Sequence, residues 1–228
     1  MATVAITGAG RGIAFELVKL HAAAGDRVLA LVRNPAGAAA LNAVAAASGG
    51  VVSVHRVDVG DVASIAAGVA ETGTGPVDVV YNVAGVVGTV APELDSADWA
   101  AWDEAYAIMV KGPLAVLQAF LPRLGAGAKV INFSSQLGAS TWPYGGLYAY
   151  ASAKAALNRL MRSVATDLKP RGIIVGLLHP GYVQTDMSGP GADITPLESA
   201  QGVYRITQDW TLETSGEFLN WDGRPHAW

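Results

Sequence analysis

The chain has 228 residues, a formal net charge of -4 and no cysteine. This length suits one domain, and the missing cysteines exclude a disulfide framework, a thiol nucleophile and Cys-ligated metal centres. Hydrophobic residues make up 51% of the chain and charged residues 15%, which excludes disorder and a polybasic nucleic-acid surface. The apolar stretches look too short for a bilayer and Met1 starts no secretion signal, so we expect a cytoplasmic protein without membrane or nucleic-acid partners.

Short Val- and Ile-rich segments alternate with longer Ala-rich segments along the chain, which is typical of βαβ units around a parallel sheet. Six strands are predicted, at residues 3–7, 27–32, 51–56, 77–81, 128–134 and 173–178, and residues 216–220 are a candidate seventh. Helices are predicted at residues 12–24, 35–47, 62–71, 96–121 and 148–168. Because no repeat or linker divides the chain, we expect one α/β domain over residues 1–228, a doubly wound sheet with helices on both faces.

A glycine-rich turn follows the first predicted strand and opens the first helix, in the sequence Thr7-Gly8-Ala9-Gly10-Arg11-Gly12-Ile13. Without Cβ atoms, such a turn lets backbone N–H groups and the helix N-terminus approach a pyrophosphate, as in Rossmann-type folds. Glycines also cap helices for purely structural reasons. The position directly after the first strand favours dinucleotide binding.

The end of the second strand normally supplies a carboxylate to the adenosine ribose of nicotinamide cofactors. Here the chain reads Leu31-Val32-Arg33-Asn34, without an acid. Arg33 and Arg11 can instead face a 2'-phosphate, since a guanidinium offers several donors to phosphate oxygens. We therefore expect NADP(H) rather than NAD(H), the alternative being that both arginines are solvated loop residues.

Two further segments follow predicted strands at the edge where open α/β sheets bind ligands. Asp58-Val59 follows the third strand, and Asn82-Val83-Ala84-Gly85 follows the fourth. Either segment can also be ordinary turn chemistry.

Among seven tyrosines only Tyr150 has a lysine four residues later, at Lys154. Positions i and i+4 share one helix face, and an ammonium group beside a phenol is expected to lower the phenol's pKa, as proton exchange with an alcohol or carbonyl requires. Ser134-Ser135 ends the fifth strand on the ligand-binding edge and can help hold a substrate oxygen. An amphipathic helix pair and a helix cap are the alternative interpretation, but the agreement with the glycine turn and Asn82 favours catalysis.

At these positions the sequence resembles the short-chain dehydrogenase/reductase family over essentially its whole length. Segments 145–150 and 179–187, with Trp228, resemble the sniffer/C-factor-like carbonyl reductase branch. The motifs are Thr7-Gly8-x-x-x-Gly12-Ile13 (with Ala14 replacing the usual glycine), Asp58-Val59, Asn82-x-Ala84-Gly85, Ser134-Ser135, Tyr150-x-x-x-Lys154, and Pro180-Gly181 followed by Thr185.

The resemblance implies an NADP(H)-dependent oxidoreductase that interconverts a ketone, aldehyde or quinone and its alcohol. By the same resemblance Tyr150 exchanges the proton, Ser135 orients the substrate oxygen, and Lys154 also binds the nicotinamide ribose. The other implied cofactor contacts are Gly8, Arg11, Gly12 and Ile13 to the phosphates, Asp58 and Val59 to adenine, Asn82, Ala84 and Gly85 to the adjoining ribose, and Pro180, Val183 and Thr185 to the nicotinamide.

The substrate and the assembly are also predicted. The apolar residues of the two segments flanking the catalytic edge suit an apolar or aromatic carbonyl compound, although loop packing explains them equally well. Helices of this family that correspond to those containing Trp99, Trp102 and Met161 form subunit interfaces, so the resemblance implies a homodimer or homotetramer. The flanking residues are Trp142, Pro143, Tyr144, Tyr182 and Met187.

One departure concerns Met109, which stands where the family usually has asparagine, three residues before Gly112-Pro113. In the family this position helps hold a water beside the lysine, largely through a backbone carbonyl that methionine also has. Met109 is the only support for the alternative, an NADP(H)-binding sensor or signalling protein with little turnover. An epimerase or dehydratase of the extended branch needs a further domain that this length does not allow. No metal-like spacing joins His21, His55, His179 and His226, so no chemistry is assigned to them.

Overall fold

The computed structural model describes residues 1–87 and 97–228. Within them seven parallel strands form one sheet in the order β3-β2-β1-β4-β5-β6-β7. The predicted Rossmann-type α/β fold is thereby confirmed, including the candidate seventh strand. The strands are β1 (Thr3–Thr7), β2 (Arg27–Val32), β3 (Val52–Arg56), β4 (Val79–Asn82), β5 (Lys129–Phe133), β6 (Ile174–His179) and β7 (Phe218–Asn220).

Helices cover both faces of the sheet, as predicted. The predicted second helix begins four residues late, at Ala39, and the last helix was missed by the sequence analysis. The helices are α1 (Gly12–Ala23), α2 (Ala39–Ala47), α3 (Val62–Glu71), α4 (Trp99–Tyr106), α5 (Gly112–Phe120), α6 (Tyr148–Leu168) and α7 (Pro196–Asp209).

The helix predicted over residues 96–121 is interrupted rather than continuous, and its first residue, Ser96, lies outside the described residues. A π-helical turn, Ala107–Lys111, joins α4 to α5, and the N–H of Gly112 donates to the carbonyl of Ala107, five residues earlier. Pro113 has no N–H to donate to the carbonyl of Met109. The missing donor explains why regular α-helical bonding fails at this point.

The missed helix α7 has few apolar residues but a complete capping box. The Thr195 hydroxyl accepts from the N–H of Glu198, and the Glu198 carboxylate accepts from the N–H of Thr195. Pro196 occupies the first helical position, where its missing N–H costs nothing. These end signals specify the helix. Its buried residues recur at helical spacing, but most of them are small or polar, namely Ser199, Ala200, Val203 and Thr207.

Two apolar clusters occupy the two faces of the sheet. Helices α3, α5 and α6 cover one face, where Val116, Phe120 and Met161 are fully buried. Helices α1, α2 and α7 cover the other, where Leu17, Leu41 and Val203 are fully buried. Since both faces are covered, the strands are apolar on both sides, as expected of a buried parallel sheet.

The helical stretch Trp99–Arg123 is the part of the described chain that is long and apolar enough to cross a membrane, which the sequence analysis did not anticipate. Half of its most apolar 18-residue window is buried inside the protein. Phe120 and Val116 lie in the core beneath the sheet, so packing accounts for the apolar character of this stretch.

The strand order reverses at β1, which pairs with β2 on one side and β4 on the other. At such a switch point the loops diverge and open a crevice at the carboxyl ends of the strands. The segments predicted to bind cofactor and substrate all leave the sheet at this edge. We call it the carboxyl edge, and the opposite one the amino edge.

Candidate active site

The turn between β1 and α1 approaches the backbone that follows β4. Gly8 has φ 70°, and a Cβ there would lie 3.1 Å from the Cα of Ala84. Gly12 has φ 57° where α1 begins, and among the described residues no side chain caps that helix, so its first N–H groups are available to an anion. This cradle, with the predicted Ile13 packed beside it, fits a dinucleotide pyrophosphate.

Thr7 links the end of β1 to the chain after β4 by hydrogen bonds. Its hydroxyl donates to the carbonyl of Tyr81 at 3.2 Å and accepts from the N–H groups of Val83 at 2.9 Å and Ala84 at 3.2 Å. The threonine at the end of β1 therefore sets the path of the chain after β4. This bond network holds Ala84 against Gly8.

The two arginines predicted to face a 2'-phosphate have different surroundings. Arg33 is exposed after β2 and has no ion pair or hydrogen bond with any residue that the structure describes. Arg11, in contrast, donates from Nη1 to the Asp186 carboxylate at 2.7 Å. Both side chains of this pair are about three-quarters exposed, at 77% and 75%, so the pair is weak and Arg11 can change partners.

The residues predicted around adenine and its ribose lie at the carboxyl edge, with one qualification for Asn82. Its amide donates to Asn132 Oδ1 at 2.9 Å and to the carbonyl of Pro113 at 3.4 Å, so this side chain holds β4, β5 and α5 together. Because the Asn82 side chain is engaged in this way, we expect the ribose to contact the backbone of this segment, Ala84 and Gly85. Asp58, half-buried, accepts from the N–H of Gly60 at 3.0 Å, and Val59 packs against the apolar cluster that contains Met109.

Ser135, Tyr150 and Lys154 come together at the end of β5. Lys154 is buried, and its Nζ donates to the carbonyl of Phe133 at 2.6 Å and lies 5.6 Å from the centre of the Tyr150 ring. The Ser135 hydroxyl oxygen accepts from the N–H of Leu137 at 3.2 Å. A hydroxyl that accepts one hydrogen bond still has its proton to donate, and the interaction of Ser135 with the Tyr150 phenol acts to lower the pKa of that phenol.

The predicted lowering of the Tyr150 pKa is wrong. Burial raises the pKa of Tyr150, and the hydrogen bond with Ser135 opposes this only in part. Burial also lowers the pKa of Lys154 to about 8. Removing the phenol from water penalises its anion more than the described groups stabilise it.

Helix α6 touches the serine turn without an intervening side chain. A Cβ on Gly138 would lie 2.8 Å from the carbonyl carbon of Lys154 and 2.9 Å from the nitrogen of Ala155. Asn158 donates to the carbonyl of Gly138 at 3.4 Å and accepts from the Ser134 hydroxyl at 2.5 Å. The distance between Ser135 and the helix carrying Tyr150 is thus set by backbone contact.

The entry to α6 is strained. Leu147, which precedes the helix, has φ 48° and ψ 40°, a left-handed conformation that costs a non-glycine residue roughly 1–2 kcal/mol. It is the one residue other than glycine with positive φ in the described chain. Such strain collects near functional sites, and here it lies three residues before Tyr150.

The residues predicted to contact nicotinamide follow β6. Pro180 accepts from the Ser199 hydroxyl at 2.6 Å through its carbonyl, and the buried Val183 forms a bridge with Ile194. Thr185 reaches the glycine turn, with its Cγ2 3.5 Å from where a Gly12 Cβ would lie. The loop after β6 therefore closes one side of the cofactor crevice.

Met109 is fully buried next to these groups. Its sulfur lies 3.6 Å from the position of a Cβ on Gly85, and the Lys154 Nζ lies 3.9 Å from that position. An apolar side chain thus occupies the space beside the lysine. Its backbone carbonyl, which Pro113 cannot bond, remains a candidate acceptor for a water.

Three residues of this region escaped the sequence analysis. Asp186 pairs with Arg11, Gly138 packs against α6, and His179 accepts from the N–H of Gln136 at 3.3 Å. No spacing in the sequence marks them, since each acts across a long chain separation. For His179, its position at the end of β6 was the only available signal.

Residues 2–193 match the model of the short chain dehydrogenase family. The chain belongs to this family. The oxidoreductase class predicted from the motifs is confirmed with it.

Individual relatives agree with the predicted branch. The C-signal of Myxococcus xanthus is 42% identical over 158 residues, covering 68% of this chain and 95% of the relative. The NADPH-bound carbonyl reductase from chicken fatty liver superposes with a TM-score of 0.92 at 32% identity, covering 100% of this chain and 99% of that structure. The carbonyl reductase Sniffer of D. melanogaster superposes with a TM-score of 0.91 at 27% identity, with full coverage of both chains.

Proposed function

We propose that the protein reduces a carbonyl compound to its alcohol with NADPH, and catalyses the reverse reaction with NADP+. The observation that carries the proposal is the meeting of Ser135, Tyr150 and Lys154 at the same sheet edge as the glycine turn. The similarity to an NADPH-bound carbonyl reductase supports it.

Each of the three side chains has a distinct task in this reaction. The bound cofactor supplies the hydride. Tyr150 donates its phenolic proton to the carbonyl oxygen, and the Ser135 hydroxyl, with its oxygen already bonded to Leu137, donates a hydrogen bond to the same oxygen. Lys154, anchored on the carbonyl of Phe133, adds positive charge beside the phenol when it is protonated.

The direction of the Tyr150 pKa shift suits a proton donor. A raised pKa keeps Tyr150 protonated near neutral pH, which is the state required of a proton donor. Alcohol oxidation needs the phenolate, which requires extra positive charge near the ring. The raised pKa therefore supports the proposed role of Tyr150 as the proton donor in carbonyl reduction.

The preference for NADP(H) rests on charge at the end of β2. Arg33 is exposed, and Arg11 is bound only by a weak surface pair, so both guanidinium groups are available to a 2'-phosphate. No carboxylate stands in the segment Leu31-Val32-Arg33-Asn34 to hold the ribose hydroxyls of NAD(H). The two arginines therefore favour the 2'-phosphate of NADP(H), and the segment offers no carboxylate to the ribose hydroxyls of NAD(H).

The substrate we propose is an apolar or aromatic ketone, aldehyde or quinone. Trp142 and Tyr144 pack edge to face at 5.2 Å, and Tyr144 is 72% exposed beside the serine turn. Tyr182 and Met187 are exposed in the loop after β6. Aromatic and thioether surfaces on both sides of the catalytic edge suit a flat apolar molecule.

Proton supply past Met109 is also part of the proposal. The carbonyl of Met109, left without an N–H from Pro113, can hold a water that links Lys154 to solvent. On this basis Met109→Asn should change kcat by less than about tenfold, or 1.4 kcal/mol. Steady-state kinetics of the two proteins checks this, and a larger gain for the asparagine variant would mean that the wild-type relay is deficient.

We propose that the protein is a cytoplasmic homodimer or homotetramer. Trp99 is 70% exposed on α4 and starts a row of aromatic rings with Trp102 and Tyr106, spaced at 5.8 and 6.1 Å. A second subunit would cover these rings. Light scattering of the purified protein, with Trp99→Glu as the disrupting variant, tests the assembly.

The alternative is a signalling protein that binds NADP(H) with little turnover. The 42% identity to a protein named C-signal favours it, together with Met109. The intact Ser135, Tyr150 and Lys154 favour the enzyme.

The deciding experiment follows NADPH and, separately, NADH absorbance with a panel of aromatic, aliphatic and quinone carbonyls. We expect NADPH consumption that depends on Tyr150, with Tyr150→Phe as the control. NADPH binding without turnover of any carbonyl would favour the signalling protein, and a preference for NADH would contradict the role of Arg33.

A further inference from the structure

The short helical turn that follows the catalytic serine donates a hydrogen bond to β6. This turn, Gln136–Gly138, starts with Ser135 as its N-cap. Two N–H groups at its start have acceptors: that of Leu137 donates to the Ser135 hydroxyl oxygen at 3.2 Å, and that of Gln136 donates to His179 Nδ1 at 3.3 Å. The serine side chain and the imidazole thus cap neighbouring N–H groups of the same turn.

His179 is held so that it presents an acceptor. It is only 8% exposed, and its carbonyl accepts from the N–H of Trp221 at 2.8 Å. Nδ1 can accept only when the ring is neutral and carries its proton on Nε2. Burial and the nearby His226 lower the pKa of His179 to about 4, against the opposing effect of Asp222, so the ring is neutral at pH 7.

The chain after β7 packs against this histidine. The His226 ring lies 5.5 Å from the His179 ring, edge to face, and 4.5 Å from the Phe218 ring. The N–H of His226 donates to the carbonyl of Phe218 at 2.8 Å. Further along, the carbonyl of Trp228 accepts from the Ser140 hydroxyl at 2.9 Å. Residues 218–228 therefore contact both His179 and the segment just after the serine turn.

We propose that His179, backed by His226, is a positioning residue that fixes the orientation of Ser135 through the N–H of Gln136. Without the imidazole acceptor, the Gln136 N–H is left unsatisfied in a partly buried turn, which is unfavourable. We expect the turn to rotate until this N–H meets another acceptor. Rotation moves the Ser135 hydroxyl away from the substrate oxygen. The inference rests on the proposed carbonyl reduction.

A matched pair of variants separates the acceptor from the shape of the side chain. In His179→Asn, the amide oxygen stands near the place of Nδ1 and keeps an acceptor, whereas His179→Leu has a similar shape without one. We expect kcat to stay within about threefold of wild type in the asparagine variant and to fall about tenfold in the leucine variant. The Kd for NADPH, which reports folding and the cofactor site, should be unchanged in both.

Combination with Ser135→Ala distinguishes positioning from general support. If His179 acts through Ser135, His179→Leu should add no further loss of kcat in the Ser135→Ala background. Equal kcat for the leucine and asparagine variants, or additive losses in the double variant, would overturn the proposal.

A measurement independent of turnover keeps this inference separate from the proposed function. Nitrogen-15 NMR of the wild-type imidazoles reports the tautomer of His179, which should carry its proton on Nε2 at pH 7. A proton on Nδ1 would overturn the proposal. A protein with the Nε2 tautomer that reduces no carbonyl would contradict the proposed function while leaving the hydrogen bond established.

Discussion

Both the amino edge and the carboxyl edge of the sheet carry charged and polar residues, but the two edges differ in whether these residues have bonding partners within the protein. At the amino edge, His21 bonds to Asp26 at 2.9 Å and to the Tyr81 hydroxyl at 3.2 Å, and Lys129 donates to the carbonyls of Thr207 and Gln208. These polar groups therefore bond to one another. At the carboxyl edge, Arg33 and the N-terminus of α1 have no side-chain partner among the described residues.

This difference shows that neither the types of residue present nor a cavity is enough to identify a ligand-binding site. The amino edge holds a cleft of about 440 Å³ lined by His21, Asp26, Lys129 and Tyr204, yet the histidine, the aspartate and the lysine are already bonded within the protein. The carboxyl edge offers unoccupied donors where the strand order reverses. A ligand gains most where it replaces water on groups that have no internal partner.

The largest expected effect compares two tyrosines. Tyr150→Phe should lower kcat more than about 10³-fold, since it removes the proton donor, while the Kd for NADPH changes little. Tyr81→Phe removes a hydroxyl bonded to His21 and should cost about 1 kcal/mol of unfolding free energy with kcat within twofold. Kinetics and urea titrations of both variants check this, and a strong kinetic defect in Tyr81→Phe would erase the contrast between the edges.

Acid should destabilise both edges alike. The pKa of His179 is lowered from its usual 6.5 to about 4. Because the unfolded chain takes up the proton first, the free energy of unfolding has its full value above pH 6.5 and falls as the pH drops toward 4. Between pH 7 and 5 this amounts to about 2 kcal/mol, and burial lowers the pKa of His21 in the same direction.

Urea titrations at the two pH values measure this loss. His179→Asn should remove about 2 kcal/mol of the pH dependence. An unchanged pH dependence in that variant would show that folding does not lower the pKa of His179.

An arginine at each end of β2 provides the next comparison. Arg33→Ala should raise the Kd for NADPH about tenfold and leave that for NADH within twofold, since only NADPH carries the 2'-phosphate. Arg27→Ala, at the amino end of the same strand, should change neither value. Fluorescence titration with both cofactors decides, and equal losses for NADPH and NADH in Arg33→Ala would place this side chain away from the 2'-phosphate.

The smallest expected effect concerns the exposed pair of Arg11 and Asp186. Asp186→Asn frees Arg11 for a phosphate and should lower the Kd for NADPH about threefold, an effect that 0.5 M salt should abolish because the charges are exposed. Asp78→Asn, at the amino edge, is the control and should have no such effect. Weaker NADPH binding in Asp186→Asn would mean that the pair closes the crevice rather than competing for Arg11.

The positions of the strands and the placing of the site could be predicted because periodicity and strand ends are local signals. Seven strands and the glycine turn follow from such patterns. Helix α7 was missed because most residues on its buried face are small or polar, although Thr195-Pro196 and Glu198 gave a start signal. The pKa of Tyr150 was predicted in the wrong direction because burial is a property of the folded chain that an i, i+4 spacing does not contain.

The contact of Gly138 with α6 has a consequence for how this protein can change over time. Because backbone meets backbone there, the interval between Ser135 and Tyr150 does not depend on residues 139–147, which join the turn to the helix. Those residues include Trp142 and Tyr144, which we propose to line the substrate site. Substitutions and length changes in residues 139–147 can therefore alter which substrates bind, while Ser135 and Tyr150 keep their relative positions.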